Sequence, residues 1–442
     1  MFSQMKYVLG VLLSLSLVSE SYAVGGAFIG NEVPSARSAG QGYVGVAGQS
    51  DDPTTVFSNP AAMTNLKGTQ LTVGSAWENI HGGYQDNAGN QTKERVTNAG
   101  VPNASATHSF LDGKLGAGLS VQSPFGLESY WPGNSPLRYV ATDSRLDMVD
   151  ITPAVAYQVI PMVSVGAGVD YFDVFNAQLS RAVNVNAVNT ALGAPTATAA
   201  DASTTLSGQS TNWGYHGGVL LQPNEKNAFG ITYHSKVDLR VLGNAQISGM
   251  TGAMAQVFGG SNYSTSAFTD LVLPESVQFG YAFKPTDKWM LEADAAWYNW
   301  ASAQDINIRY AETNPVRLAV LNQGNPIPLS LHNSWSMSTG ANYKVNDKWQ
   351  VRSGFWYEPW AMPDVNFSPG FLDLSRYGLN IGAGYAFNEH VTLDAAYGAI
   401  FTHNRTINNN VGTNTTGIPG YNIDGTYSNF ANTVMMNLSY RY

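Results

Sequence analysis

The sequence predicts an all-β fold, a transmembrane antiparallel β-barrel of 14 strands, on three observations: strands with two unlike faces, few charges among many aromatics, and short turns alternating with long loops. In Val163-Ser164-Val165-Gly166-Ala167-Gly168-Val169-Asp170-Tyr171 the valines, Ala167 and Tyr171 fall on one side, and Ser164, the glycines and Asp170 on the other. A period of two is a strand. Leu379 to Phe387 and Val391 to Tyr397 read the same way, joined by Asn388-Glu389-His390. A soluble sandwich would turn the apolar face inward and a membrane barrel would turn it out to lipid. Composition separates them, because charged residues are 12% of the chain and aromatics 12%, with 23 Tyr, 10 Trp and 45 Gly among 442 residues. That is about half the usual share of charge, and amphipathic aromatics suit interfacial girdles.

The connections give the strand count. Short polar turns fall at 111–114, 160–162, 223–227, 285–288, 346–348 and 388–390. Long stretches rich in Asn, Gly, Pro, Ser and Thr fall between them, at roughly 81–98, 126–144, 183–203, 249–270, 312–328, 360–370 and 408–424. Thirteen connections imply fourteen strands, with the short turns periplasmic and the long loops outside. Two turns, Thr286-Asp287-Lys288-Trp289 and Asn346-Asp347-Lys348-Trp349, place Trp289 and Trp349 as anchors at the inner interface. The last strand puts Val434, Met436, Leu438, Tyr440 and Tyr442 on one face and Asn437, Ser439 and Arg441 on the other.

The N-terminus sets the compartment. Lys6, the apolar run from Val8 to Val18 and Ser21-Tyr22-Ala23 form a signal peptide over 1–23, with cleavage expected after Ala23. The apolar run is too short for a membrane span. An exported all-strand chain enters a bilayer as a closed barrel, since hydrocarbon satisfies no open edge. There is no cysteine, so neither a disulfide nor a Cys-ligated metal holds the fold, and the net charge of −9 argues against nucleic acid as a partner. Residues 24–68 precede the barrel proper at 69–442, are rich in Gly and Ala, and contain Asp51-Asp52-Pro53 and Ser58-Asn59-Pro60-Ala61-Ala62-Met63.

Here the chain resembles a known family. Gly26-Ala27-Phe28, Asn31-Glu32, Gly42-Tyr43-Val44-Gly45, Asp51-Asp52 and Asn59-Pro60-Ala61 match in order. Ser123-Pro124-Phe125-Gly126-Leu127, Arg138-Tyr139, Asn212-Trp213-Gly214, Thr232-Tyr233-His234-Ser235 and Leu273-Pro274-Glu275-Ser276 continue the likeness. The ordered set is similar to the FadL-type outer-membrane transporters of long-chain fatty acids and other hydrophobic compounds, over about 24–442. The resemblance implies a hatch over 24–68 that closes the lumen, with Asn59, Pro60 and Ala61 inside it. It also implies a route: capture among the outer loops, a site near the hatch N-terminus, and sideways exit at a kinked third strand into the bilayer. Such a path keeps an apolar molecule from being hydrated again. The implied partners are fatty acids or hydrocarbons, outer-membrane lipid and lipopolysaccharide, and the barrel-assembly machinery during insertion, with the chain a monomer and no cofactor or metal.

Candidate positions follow. Gly116 and Gly118 in the third strand, followed by Pro124 and Gly126, read either as a kink at the exit or as ordinary lumen-facing glycines. Phe125, Leu127, Tyr130 and Trp131 in one loop, and Met254 and Phe258 in another that reads as a short helix, suit a hydrophobic groove or loop-to-loop packing. Arg138 and Arg145 suit a ligand carboxylate, a lipopolysaccharide phosphate or a lumen carboxylate. Phe28 and Ile29 lie beside the expected mature N-terminus, in reach of ligand inside the barrel, although Ile29-Gly30 and Pro34 depart from the family pattern.

An enzyme is not expected. None of the seven histidines, at 81, 108, 216, 234, 332, 390 and 403, lies in a catalytic motif, and there is no Gly-x-Ser-x-Gly, P-loop or zinc-binding His pair. A passive hydrophilic porin shares the barrel but needs no plug, and a surface adhesin shares the long loops.

Overall fold

The computed structural model describes residues 35–48, 51–195, 198–410 and 421–442. The signal segment 1–23, together with Phe28 and Ile29, lies outside the described residues.

Fourteen antiparallel strands form the wall: β1 (Thr69–Asp86), β2 (Thr97–Phe110), β3 (Leu115–Gln122, resuming at Leu127–Tyr130), β4 (Asp143–Ile160), β5 (Val163–Val183), β6 (Ala202–Asn224) and β7 (Asn227–His234, resuming at Val237–Ser248). They continue as β8 (Asn262–Leu273, resuming at Ser276–Thr286), β9 (Trp289–Tyr298), β10 (Ser334–Lys344), β11 (Trp349–Glu358), β12 (Arg376–Ala386), β13 (Val391–Thr402) and β14 (Gly425–Arg441). Each pairs with its sequence neighbour, and β1 pairs with β14 from Gln70↔Arg441 to Asp86↔Gly425, which closes the barrel. Closure leaves no open edge at the seam, the condition a strand structure must meet in hydrocarbon.

The two-faced strands take the direction expected of a membrane barrel. Ile151, Val155, Tyr157, Trp213, Tyr215, Leu379, Ile381, Val434, Met436 and Leu438 are exposed on the outside, whereas Asp170, His216, Asn380, Asp394, Thr433 and Asn437 are buried inside. The Asn346 carboxamide accepts from the backbone N–H of Lys348 and of Trp349, both at 2.9 Å, so the side chain itself shapes that turn. Trp289 and Trp349 are exposed at this end, with ring centres 4.6 Å from Tyr343 and 4.7 Å from Tyr385. Aromatic pairs of this kind belong at a headgroup interface.

At the opposite end the long loops fold inward. They carry short helices α3 (Val185–Ala191), α4 (Gly252–Phe258) and α5 (Pro315–Leu321). Loop residues Trp300, Ile306, Leu329, Leu331 and Phe371 join Leu146, Met148, Phe172, Val174 and Leu239 of the wall in one buried apolar cluster. The outer half of the lumen is thus filled with apolar side chains, unlike the wetted bore of a hydrophilic pore.

Candidate functional site

The described part of the N-terminal segment is threaded among inward-facing wall groups. Its α1 (Ala36–Gly40) begins at the Ser35 cap and lies against β12, β13 and β14, and the Ala36 N–H donates to the Asn437 carboxamide at 2.8 Å. Next, four successive N–H groups meet two carboxylates of β9: Gly45 and Val46 donate to Asp294 at 2.8 and 3.2 Å, and Ala47 and Gly48 to Glu292 at 2.8 Å each. After α2 (Thr55–Ser58), Asn59 starts a 3₁₀ turn over Pro60–Asn65, its side-chain oxygen accepting from the Ala61 N–H at 3.2 Å and its NH₂ donating to the Val46 carbonyl at 2.6 Å. Asn59 is fully buried. The wall makes room with glycine: a Cβ on Gly218 would stand 2.2 Å from the Asn59 oxygen, and one on Gly166 would stand 2.5 Å from the Ala61 nitrogen. Gly116 and Gly118 serve the same close approach, since added Cβ atoms would meet Met63 and Val56. Both sit in unbroken ladder, Gly116 opposite Ser109 and Gly118 opposite Thr107.

The interruption of the third strand comes later. The ladder between β2 and β3 stops at Ala104↔Val121, and residues 97–103 of β2 pair with β1 alone. Across that space β3 leaves regular pairing at 123–126, where Phe125 keeps a single bridge, before resuming against β4 at Leu127↔Leu146. Pro102, with no N–H to give a ladder, lies in this one-sided stretch. The far rim is bridged by the Arg95 N–H donating to the Tyr130 carbonyl at 3.1 Å and by the Ser129 hydroxyl donating to Glu94 at 2.6 Å. A window therefore opens in the wall, bounded by a ladder rung below and two loop contacts above.

The upper rim carries a pH dependence. Burial, chiefly, pushes the Glu94 carboxyl up to about 8, with Glu128 adding to the rise and the Ser129 hydrogen bond opposing it. A raised carboxylate stabilises the packed state below its unfolded value near ~4.3 and loses that contribution as pH climbs through about 8. Amide hydrogen exchange at 94–96 and 127–131, corrected for intrinsic rate, should be faster at alkaline than at neutral pH. Glu94→Gln should flatten the difference, and equal protection at both pH values would remove Glu94 as its source.

Two contiguous cavities lie under the outer loops. The first, about 590 Å³ including its open mouth, is lined by Leu127, Leu146, Leu179, Leu206, Phe268 and Phe371 among others, with Arg145 at its edge. The second, about 1070 Å³ on the same measure, shares Leu179, Leu206, Ile308 and Phe371 with it and adds Met254, Tyr310, Leu321 and Arg181. Arg181 gives one N–H to the Gln323 carbonyl at 2.5 Å, and among the described residues no carboxylate forms an ion pair with it.

The sequence candidates divide accordingly. Leu127, Arg145 and Met254 line the cavities, and Phe125 packs at the edge of the adjoining cluster, 6.4 Å from Phe172. Trp131 is fully buried, donating to the Pro369 carbonyl at 3.0 Å, and Tyr130 lies under the Arg95 guanidinium. Phe258 packs with α3 and α5 residues. Arg138 pairs with Asp201 and Arg145 with Asp143, each at 2.9 Å, so both guanidiniums already have a carboxylate of this chain. Arg181 was not among the expected residues. Nothing local distinguishes it, because what marks it is that no acid among the described residues meets it across space.

Comparison with known proteins gives the family. The profile of the outer membrane protein transport protein family (OMPP1/FadL/TodX) matches residues 16–442. The chain is 23% identical over 394 residues to the long-chain fatty acid transport protein of Escherichia coli O6:H1, covering 84% of this chain and 86% of that one. It is 25% identical over 433 residues to outer membrane protein P1 of Haemophilus influenzae, covering 89% of each. Among solved structures, a Pseudomonas aeruginosa FadL homologue superposes with a TM-score of 0.79 at 21% identity, covering 94% and 99% of the two chains. The Pseudomonas putida toluene transporter TodX superposes with a TM-score of 0.67 at 17% identity, covering 96% and 100%. The chain is thus an outer-membrane β-barrel and belongs to the OMPP1/FadL/TodX family of transport channels, which are not enzymes.

Proposed function

We propose that this protein takes up long-chain fatty acids, or acids of similar amphipathic shape, from outside the cell. The apolar chain is caught in the two cavities beneath the outer loops, the carboxylate pairs with Arg181, and the ligand leaves sideways through the window between β2 and the interrupted β3. The N-terminal segment acts as the hatch that keeps the lumen closed to water and ions. One observation carries the acid reading: a guanidinium in an apolar cavity with no acid partner among the described residues. A cation in such surroundings is poorly solvated and gains most from an anion brought to it. Lateral exit spares the alkyl chain the cost of hydration, about 0.8 kcal/mol per CH₂.

A neutral hydrocarbon is the second reading, favoured by the almost wholly apolar lining of the first cavity and by the toluene transporter among the structural relatives. Arg181→Ala separates them. Binding of a long-chain fatty acid to the detergent-solubilised protein should weaken roughly 10- to 100-fold, as losing a charged hydrogen bond of about 1.5–3 kcal/mol requires. Binding of the methyl ester should be unchanged. Equal affinity of acid and ester in the unaltered protein would favour the neutral ligand and end the role given to Arg181.

A further inference from the structure

A polar cluster lies away from both cavities, where the wall meets α2. His216 of β6 and His234 of β7 are directly opposite in the ladder and face inward, and Asp170 of β5 lies beside them. One ligand atom from each of the three falls within 4.8 Å of the others. The cluster is built, not incidental: Gly168 opposes His216, and a Cβ there would stand 2.2 Å from the imidazole carbon Cε1.

Three features ask for a cation. First, His216 Nε2 lies 3.0 Å from the Val56 carbonyl, which only accepts, so the proton belongs on Nε2 and Nδ1 presents its lone pair. Metal-bound histidines are commonly oriented by this kind of bond from the second nitrogen to a backbone carbonyl. Nδ1 is 2.7 Å from an Asp170 oxygen, a separation that two lone pairs do not hold without a proton or a cation between them. Second, His234 Nε2 is buried without a hydrogen-bond partner. Third, Asp150 and Asp170 are both buried, tied together by the Thr152 hydroxyl at 2.8 and 3.2 Å, and no Lys or Arg among the described residues pairs with either. Two carboxylates buried this close repel one another when both are ionised, and a cation between them and the imidazoles relieves that cost.

We infer that Asp170, His216 and His234 form a binding site for a divalent cation of the zinc class, with a water to complete the shell. Two imidazoles and a carboxylate suit zinc, cobalt or nickel better than calcium or magnesium, which prefer oxygen alone. Protonating His216 instead would supply a single charge for two carboxylates. The imidazole rings now stack at 5.1 Å and 11°, with Phe57 4.6 Å from His234, so ligating one ion tilts them apart. Through the Val56 carbonyl the ion would fasten α2 to the wall.

The test is a zinc titration of the full-length, tag-free mature protein in detergent after chelator treatment, followed by calorimetry and by cobalt absorption. One tight equivalent is expected, together with a tetrahedral-type cobalt spectrum and a higher melting temperature with zinc. His234→Asn should lose all three, the metal-free melt falling only by what the ring packing against Phe57 and His216 contributes. Absence of stoichiometric binding overturns the site. Binding that persists unchanged in His216→Ala/His234→Asn also overturns it, since the metal would then be on exposed histidines.

Discussion

Deleting Pro124 alone should abolish most uptake of hydrophobic ligand while the barrel still folds and inserts. The register gives the reason. Gln122 pairs with Asp150 and Leu127 with Leu146, so the four residues 123–126 of β3 face only the three residues 147–149 of β4. Removing one residue makes the count equal, lets β3 run straight through, and offers β2 a partner along 97–103. Leu127 keeps its partner and therefore its face. Uptake would be read by accumulation of a labelled fatty acid in cells, and insertion by surface accessibility and electrophoretic mobility. Undiminished uptake in the straightened variant would exclude the window as the exit.

Removing residues 35–66 should convert the protein into a steady ion-conducting pore. The wall ladder is complete without this segment, so the barrel can still form. Lost with it are the N–H donors to Asp294 and Glu292, the contact of Ala36 with Asn437, and the buried Asn59 turn. Those carboxylates and the neighbouring Arg352–Asp394 pair, 2.6 Å apart, would then be solvated by water entering from the end that carries the short turns. Single-channel conductance in planar bilayers should rise by about an order of magnitude or more over the intact protein, as expected when a plugged lumen becomes a water-filled one. Ligand uptake should fall at the same time. Unchanged conductance would mean that the outer loops alone seal the barrel and that the N-terminal segment does not act as a plug.

Much of the barrel was legible from local pattern. Alternation fixed which residues face lipid, because a strand repeats every two residues whatever its neighbours are. The turn at Asn346 was legible because its hydrogen bonds run to residues two and three positions away. The fourteen strands followed from turns and loops that differ in length and composition. The site was less accessible. Gly116 and Gly118 stood out as glycines in a strand, but pairing shows that they admit Met63 and Val56, while the wall opens beyond Val121. Arg138 and Arg145 stood out as loop cations, but Asp201 and Asp143 answer them across space.

The sequence by itself determined the fold class and the compartment expected from its first residues, since periodicity, turn chemistry and composition are properties of short segments. Only the tertiary structure decided that the cavity's Arg181 meets no acid among the described residues, where a ladder ends and which histidines meet. His216 and His234 are eighteen residues apart in the chain and directly opposite in the ladder. Charge balance, strand register and cavity shape belong to pairs of segments brought together by closure of the wall, and no single stretch of sequence carries them.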